Sequence, residues 1–207
     1  MRTEQLIATL ILPAVSLAHH ADAAIIAFSQ RSVWEAYASV SGASRSTETF
    51  DAFSGIYQPQ LTGSVGGIGW TATADGGLDV RAAGGTQALS TANPVELLFV
   101  FSGTPVHGVG ANVFGTDAGR NVLPIVVRLM LSNGTSVVRT VGSATSFVGF
   151  WSTDSAITSV RILPEAGGES LAGAFANVDN LTFAAIPGPG TVVLLAAAGV
   201  TVRRRRR

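Results

Sequence analysis

The chain is predicted to fold as an all-β protein, an antiparallel β-sandwich with one short N-terminal helix. Glycine makes up 24 of the 207 residues, and short apolar segments are separated by glycine and Asn/Asp turns. Downstream of the predicted helix, no helical segments alternate with the predicted strands. This pattern favours an antiparallel sandwich over an α/β fold. We place the sandwich at residues 24–185, flanked by a signal peptide and a C-terminal hydrophobic segment.

The first 23 residues have the layout of a secretory signal peptide. Arg2 provides a positive start, residues 6–17 form an apolar stretch, and Ala21-Asp22-Ala23 is a small-x-small cleavage site. The apolar stretch is too short for a bilayer-spanning helix, which needs about 20 residues. We therefore expect residues 1–23 to be removed during export.

Residues 186–207 combine a proline motif, an apolar run and a basic cluster. The motif is Pro187-Gly188-Pro189, and the uncharged run covers residues 191–202. The sequence given ends in five arginines: Arg203, Arg204, Arg205, Arg206 and Arg207. Because positive charge stays on the cytoplasmic side of a membrane, this order predicts a stop-transfer segment that contacts the membrane.

This order resembles the PEP-CTERM sorting segment of bacterial envelope proteins, in which a proline motif, a hydrophobic stretch and an arginine cluster follow one another. The resemblance implies cleavage near the proline motif by an exosortase-type enzyme, and a location at the cell envelope, the surface or the extracellular space. Gly188 stands where the family's motif carries Glu. Two outcomes stay open: an enzyme that accepts glycine, or a tail that remains as a membrane anchor.

The composition excludes several classes of function. Residues 24–186 hold seven arginines and eleven carboxylates, a net charge of −4, so we expect neither nucleic acid nor anionic lipid as a partner of this domain. The chain has no cysteine, which excludes a disulfide framework, a thiolate zinc site and a cysteine nucleophile. Its exported part has one histidine, His107, too few imidazoles for a zinc or copper site.

Individual elements follow from local patterns. A helix is predicted over Val33–Val40, where apolar residues recur at helical spacing after Ser32 as N-cap. Residues 96–101 are apolar on both faces and predict a central strand covered on both sides. Residues 109–113 alternate apolar side chains with glycine and asparagine, which suits a half-buried strand.

A β-hairpin is predicted around Asn133-Gly134. Residues 124–131 and 136–141 flank this dipeptide, which is the strongest short sequence indication of a two-residue type I′ turn. Such a turn would place Leu129 opposite Val138 on the inward face.

The same register would place Arg128 opposite Arg139 on the outward face. Like charges in that position destabilise a sheet by a few tenths to about 1 kcal/mol. We therefore expect a carboxylate on a neighbouring strand, or an anionic ligand, to offset them. Two guanidinium groups on one face also suit a uronate or sulfate group.

Further strands are predicted at residues 147–151, 157–163 and 178–183. The segment FVGFWSTDSAITSVRI and the closing VDNLTF, together with an N-terminal strand and short helix, resemble jelly-roll domains that are common among PEP-CTERM proteins. This resemblance implies a jelly-roll-like body and no particular activity.

Catalytic motifs are sparse. The sequence has no Gly-x-Ser-x-Gly elbow, and His107 lies in a glycine-rich stretch that predicts a loop. Paired carboxylates could serve glycoside cleavage, and the candidates are Glu48 with Asp51 and Asp75 with Asp79, although both pairs lie near predicted turns.

Calcium is the one cofactor left open, because it needs only oxygen ligands. Asp179, followed by Asn180 before the last strand, is the candidate ligand. The competing interpretation is an Asx turn that aligns this strand.

Glycan binding would use exposed aromatic rings. The candidates are Trp70 and Trp151, with Tyr57 and Trp34 considered beside them, and Trp34 is expected in the core because it lies on the helix. Trp70 follows a glycine-rich stretch that would leave its ring accessible, and either Trp151 or Phe150 should point outward. In a small sandwich, however, such aromatic rings are core residues more often than ligand platforms.

The leading hypothesis is an exported, non-enzymatic protein of the cell envelope or extracellular matrix. The alternative is a carbohydrate-binding surface module stabilised by calcium, with extracellular polysaccharide as its partner. A glycan-active hydrolase is the third hypothesis.

Overall fold

The computed structural model describes residues 24–166 and 169–187, which form one helix, α1 (Arg31–Val40), and sixteen strands. In chain order the strands are β1 (Ile25–Phe28), β2 (Ser44–Glu48), β3 (Gly55–Tyr57), β4 (Gln60–Val65), β5 (Ile68–Thr73), β6 (Leu78–Ala83), β7 (Thr86–Thr91), β8 (Leu97–Gly103), β9 (Gly108–Thr116), β10 (Val122–Leu123), β11 (Ile125–Leu131), β12 (Ser136–Val141), β13 (Phe147–Ser152), β14 (Ser159–Ala166), β15 (Glu169–Ser170) and β16 (Phe175–Ala185). The predicted signal peptide and the tail from Gly188 onward lie outside the described residues.

The strands form two sheets in which every pairing is antiparallel. Sheet 1 has the order β1-β13-β9-β16-β7-β6-β3, with β10 beside β9 and β2 beside β16. Sheet 2 has the order β12-β11-β14-β8-β5-β4, with β15 beside β14. The all-β class, the antiparallel pairing and the single helix within the described residues confirm the predicted β-sandwich. The jelly-roll resemblance stays a prediction.

The main core lies between the two sheets. Large side chains such as Trp70, Phe99 and Phe183 are at most 1% exposed there. A second apolar cluster lies on the outer face of sheet 1, where Trp34 of α1 packs against β13. The Trp34 indole N–H donates a 3.0 Å hydrogen bond to the Phe150 carbonyl, which anchors the helix to the sheet.

Helix α1 confirms the predicted helix but differs in its cap and buried face. Its N-cap is Gln30, in extended backbone and without a side-chain capping bond, whereas Ser32 lies inside the first turn. The buried residues are Trp34 and Ala38, one turn apart, because the largest ring decides which face meets the sheet. Val40 is 91% exposed.

Two strand predictions need correction in their burial. Strand β8 is internal in sheet 2 as predicted, but Val100 is 46% exposed because α1 covers sheet 1 instead. Strand β9 is buried on both faces, since the rings of Trp151 and Phe147 lie over its glycines Gly108 and Gly110.

The hairpin forms, but with a three-residue loop instead of a two-residue turn. The Gly134 N–H donates to the Leu131 carbonyl, and the Leu131 N–H donates to the Thr135 carbonyl. Gly134 has φ +85°, and Asn133 is not among the residues with positive φ. This is a type I turn followed by a glycine bulge, whereas a type I′ turn requires positive φ at both central residues. The extra loop residue shifts the pairing by one position.

The predicted cross-strand pairs are therefore wrong. Leu129 lies opposite Val137, and Arg128 lies opposite Val138. Arg139 lies opposite the buried Val127, so the two arginines are on different faces of sheet 2. A shift of one residue moves every side chain of a strand to the other face.

Both described chain ends lie at the same end of the sandwich. The Ala24 carbonyl accepts a hydrogen bond from the Thr153 N–H, and the Ala184 carbonyl accepts one from the His107 N–H. Strands β1 and β16 are separated by β13 and β9, three strand spacings or about 14 Å.

We call this the termini-bearing end, and its loops are residues 41–43, 66–67, 104–107, 132–135 and 153–158. The opposite end carries the segments 74–77, 92–96, 117–124, 142–146 and 169–174.

Candidate functional site

The densest polar cluster of sheet 1 is built around a bulge in β16. Asp179 lies opposite Asn112, but Thr182 lies opposite Gly110, so β16 carries one extra residue here. Asn180 adopts a φ of +51°, a left-handed conformation that asparagine tolerates better than most residues. The bulge marks the point where the neighbour of β16 changes from β7 to β2.

The bulge also decides which side chains of β16 reach the core. Val178 and Leu181, three residues apart, both face the space between the sheets. Without the extra residue, the strict alternation of a strand would turn Leu181 outward. The polar side chains of Asp179 and Thr182 consequently share the outer face with α1.

Asp179 is 2% exposed, and hydrogen bonds reach both of its carboxylate oxygens. Oδ1 accepts from the Asn180 N–H at 2.6 Å, and Oδ2 accepts from the Thr86 hydroxyl and the Asn180 amide, both at 2.7 Å. Burial raises the pKa of Asp179, and these hydrogen bonds oppose the rise. The carboxylate thus joins the first residue of β7 to the bulge.

Arg31, the first residue of α1, contacts the cluster from the outer face of sheet 1. Its guanidinium donates to the Thr182 hydroxyl and the Asn112 side chain, each at 3.1 Å, and to the Asn180 carbonyl at 3.3 Å. It also lies 4.7 Å from the ring centre of Phe147. Burial lowers the pKa of Arg31, while the carboxylates of Glu35 and Asp179 raise it. Arg31 thereby ties the helix to β9 and β16.

A polar groove opens beside this cluster, between α1 and β2. Its volume is about 730 Å³, and its lining residues are Glu35, Ser39, Gly42, Ala43, Arg45, Thr47 and Thr182. Glu35 and Arg45 form an ion pair of 3.2 Å at the rim. The hydroxyls of Thr47 and Thr182 lie 3.0 Å apart. The groove offers hydroxyl, carboxylate and guanidinium groups with little net charge.

Calcium at Asp179 stays a prediction from the sequence. Within residues 24–166 and 169–187, no three His, Asp or Glu side chains lie close enough together to hold a metal ion. The predicted Asx turn has a different form in the structure, because Asp179 accepts from the N–H of the next residue, Asn180, and not from the second residue along.

The two candidate tryptophans are buried. Trp70 is 1% exposed and lies between the sheets, with its ring over Gly63 of the paired strand. The expectation of an accessible Trp70 ring is therefore wrong, because the small residue across the strand makes room for the ring to pack down. Trp151 faces away from the sandwich core, opposite to Phe150, yet it is 3% exposed because Tyr37 of α1 covers it. Neither ring presents a free face to a sugar in this fold.

Arg128 pairs with a carboxylate on a neighbouring strand, which is one of the two partners expected for it. Its guanidinium donates to both oxygens of Glu165 in β14, at 2.6 and 3.1 Å. Glu165 is 6% exposed, so this two-point pair satisfies a buried charge. No carboxylate among the described residues lies within ion-pair distance of Arg139, whose Nη1 donates to the Val138 carbonyl.

Asp79, one of the carboxylates considered for glycoside cleavage, forms two ion pairs. It is 3% exposed and pairs with Arg81 at 2.7 Å and with Arg120, whose backbone has φ +67°. Its proposed catalytic partner, Asp75, is exposed in the loop between β5 and β6. Two arginines on one aspartate make this a stabilising link between β6 and the segment before β10.

The other sequence candidates have ordinary surroundings. Glu48 accepts a hydrogen bond from the Phe50 N–H at 3.0 Å, and Asp51 is exposed. His107 lies in the loop before β9, and its backbone joins β13 to β16. Pro187 is the last described residue and is exposed, whereas Gly188, Pro189 and the arginines 203–207 lie outside the described residues.

A small apolar cavity of about 20 Å³ lies in the core between the sheets. Phe99, Val113 and Leu129 are among its lining residues. That volume holds about one water molecule, so the cavity is too small for an organic ligand.

Comparisons with known proteins found a weak structural likeness and no sequence match. The chain matches no family model and no curated protein sequence. Among solved structures it is similar to the K2 cleaved adhesin domain of Lys-gingipain, with 15% identity and a TM-score of 0.27. The match covers 68% of this chain and 97% of that one, and a likeness this weak carries no argument about function.

The described sheets and helix define the class of this protein as a two-sheet antiparallel β protein with a helix on one face. No helix in the described part of the chain is long and apolar enough to cross a membrane.

The sequence interpretation missed Arg31 and the groove. The sequence around an arginine at the start of a helix does not show whether its side chain binds a distant bulge or is solvated. The one available indication was the VDNLTF segment itself, in which Asp, Asn and Thr interrupt an apolar strand.

Proposed function

We propose that this chain is an exported, non-enzymatic β-sandwich protein of the cell envelope or extracellular matrix, sorted through its PEP-CTERM-like tail. One observation carries the proposal. Among the described residues, the first strand begins at Ile25, two residues after the predicted signal cleavage site, and the last strand ends at Ala185, two residues before the proline motif. The described strands thus occupy the part of the chain between the two predicted sorting segments.

An exosortase-type enzyme is the proposed partner of the tail. Pro187 lies two residues after the end of β16 and is exposed, which supports access to the beginning of the motif. Gly188 in place of Glu removes a charge from the motif, so the enzyme would be one that accepts a neutral residue.

The deciding experiment is the intact mass of the protein recovered from its own producing cells. We expect loss of residues 1–23 and of the apolar run with its five arginines. Retention of all five arginines would overturn processing and leave the tail as a membrane anchor. Retention of residues 1–23 would overturn export.

Carbohydrate binding is the second candidate, and the groove between α1 and β2 is the observation that favours it. Its hydroxyl, carboxylate and guanidinium groups match the hydrogen-bonding needs of a neutral, hydroxyl-rich ligand. The site proposed here differs from the aromatic platform first expected, because Trp70 and Trp151 are buried.

A polysaccharide panel tests this second candidate with the mature chain. If the groove binds, Glu35→Gln with Arg45→Gln weakens binding strongly. The matched control is Glu96→Gln with Arg161→Gln, an exposed ion pair on sheet 2 that should leave binding unchanged. Equal affinity in both double variants would exclude the groove.

A further inference from the structure

The termini-bearing end differs in charge from the opposite end of the sandwich. Its five loops contain a single carboxylate, Asp154. The five segments of the opposite end carry four carboxylates and one arginine: Asp75, Glu96, Asp117, Glu169 and Arg120. The net negative charge of the domain is thus spread unevenly, and an average over the whole domain hides this.

Two of the six exposed large hydrophobic side chains among the described residues, Val40 and Ile186, lie at the termini-bearing end. Val40, the last residue of α1, is 91% exposed, and the chain turns there into β2, whose first residue pairs with Ala185. Ile186 is 39% exposed directly after β16. At the same end, a shallow groove of about 230 Å³ lies between residues 101–106 and 156–158, with a mainly apolar lining.

The C-terminal apolar run limits how far this end can lie from a membrane. Thr191, where the run begins, lies six positions after Ala185. Fully extended, six residues span about 20 Å. If the run lies in the bilayer, this end of the sandwich is held within that distance of the lipid.

We propose that the termini-bearing end rests on a lipid surface, with Val40 and Ile186 at the interface and the carboxylate-rich end directed away. The inference rests on the proposed membrane role of the tail, applies to the chain before the proposed removal of that tail, and adds the orientation and the contact residues. Carboxylates near lipid headgroups are unfavourable, so their placement at the far end fits this orientation. Arg45, the charged residue opposite Ala184, is ion-paired with Glu35 and adds little net charge.

The absence of cysteine makes the orientation directly measurable. The chain without the predicted signal peptide and with its tail intact, residues 24–207, is reconstituted into phosphatidylcholine vesicles as single-cysteine variants that carry an environment-sensitive fluorophore. Val40→Cys and Asn133→Cys report on the termini-bearing end, and Ala118→Cys, also exposed, reports on the opposite end. Quenching by nitroxide-labelled lipids is then compared between the labels, after flotation has separated the bound protein.

We expect the labels at positions 40 and 133 to be quenched several-fold more than the label at 118. If the protein floats with the vesicles but the labels at both ends are quenched equally, the proposed orientation is wrong and the membrane role of the tail stands. Failure to float would overturn the membrane role of the tail, and the inference with it.

A charge substitution gives a second test. Val40→Asp should reduce the quenching of the label at 133 while flotation continues, because the tail is unchanged. The matched control is Ile56→Asp, an exposed residue of β3 that pairs with β6 near the opposite end and should leave quenching unaltered. Equal effects of the two substitutions would contradict a contact at Val40.

Discussion

Arg31, at the start of α1, donates a hydrogen bond of 3.3 Å to the backbone carbonyl of Asn180, in the bulge of β16. The two residues are 149 positions apart in the chain. The same guanidinium also binds the side chains of Asn112 and Thr182, so one arginine holds the helix, β9 and β16 together.

Arg31→Met should lower the free energy of unfolding by about 2 kcal/mol, because three half-buried polar groups lose a charged donor. Urea unfolding of residues 24–187 measures this. Arg161→Met is the control, since its exposed pair with Glu96 is worth at most about 1 kcal/mol. Equal losses in the two variants would show that the Arg31 network contributes no more than a surface pair.

Arg128→Met should lower the free energy of unfolding by about 3 kcal/mol, because Glu165 would remain charged and buried without its partner. Arg128 is 31% exposed on its side chain, which places the effect at the low end of the range for buried pairs. Adding Glu165→Leu should recover a large part of the loss. A double variant as unstable as the sum of the two single ones would contradict this coupling.

Gly134→Ala should cost about 1 kcal/mol, because its φ of +85° disfavours any residue with a Cβ. An added Cβ meets no atom within 4 Å, so the cost is conformational and not steric. Gly142→Ala in the loop after the same hairpin is the matched control, because its backbone is not left-handed and its nearest contact is 3.9 Å away. Stability there should stay unchanged or rise slightly. If both variants behave alike, the bulged turn is wrong.

The pH dependence of stability should carry a contribution from Asp179. Its folded pKa is raised above the ordinary 3.8, so the native state binds more protons than the unfolded state in the pH range just above that value. The contribution of Asp179 to the free energy of unfolding therefore decreases as the pH rises from its pKa in the unfolded state to its pKa in the folded state. Asp179→Asn should remove that slope, which denaturant unfolding at a series of pH values would show.

Asp117 provides the opposite sign for comparison. Hydrogen bonds from Asn121 lower the pKa of Asp117, so its contribution is present above pH 3.8 and is lost as pH falls through the lowered value. Asp117→Asn should remove a contribution to the free energy of unfolding that increases as the pH rises. The same direction of change in both variants would contradict the opposed causes assigned to these two carboxylates.

The strand-rich composition and the turn residues were sufficient to predict the sandwich and its single helix, but local patterns misjudged which faces are covered. The helix was placed correctly within two residues at its start, yet the valines used to predict it lie outside, and Trp34 faces the sheet. The buried ring of Trp70 shows the same difficulty, because the glycine that accommodates it belongs to the neighbouring strand.

The sequence by itself determined the all-β class, the position of α1 and the hairpin, because composition, periodicity and turn residues are local properties. Tertiary structure alone decided the register of β11 and β12, since one loop residue moved Arg139 to the other face. It also decided the partner of Arg128, the bulge that turns Leu181 inward, and the placement of both ends of the described segment at one end of the sandwich. These features depend on contacts between residues far apart in the chain, whose energies no local segment contains.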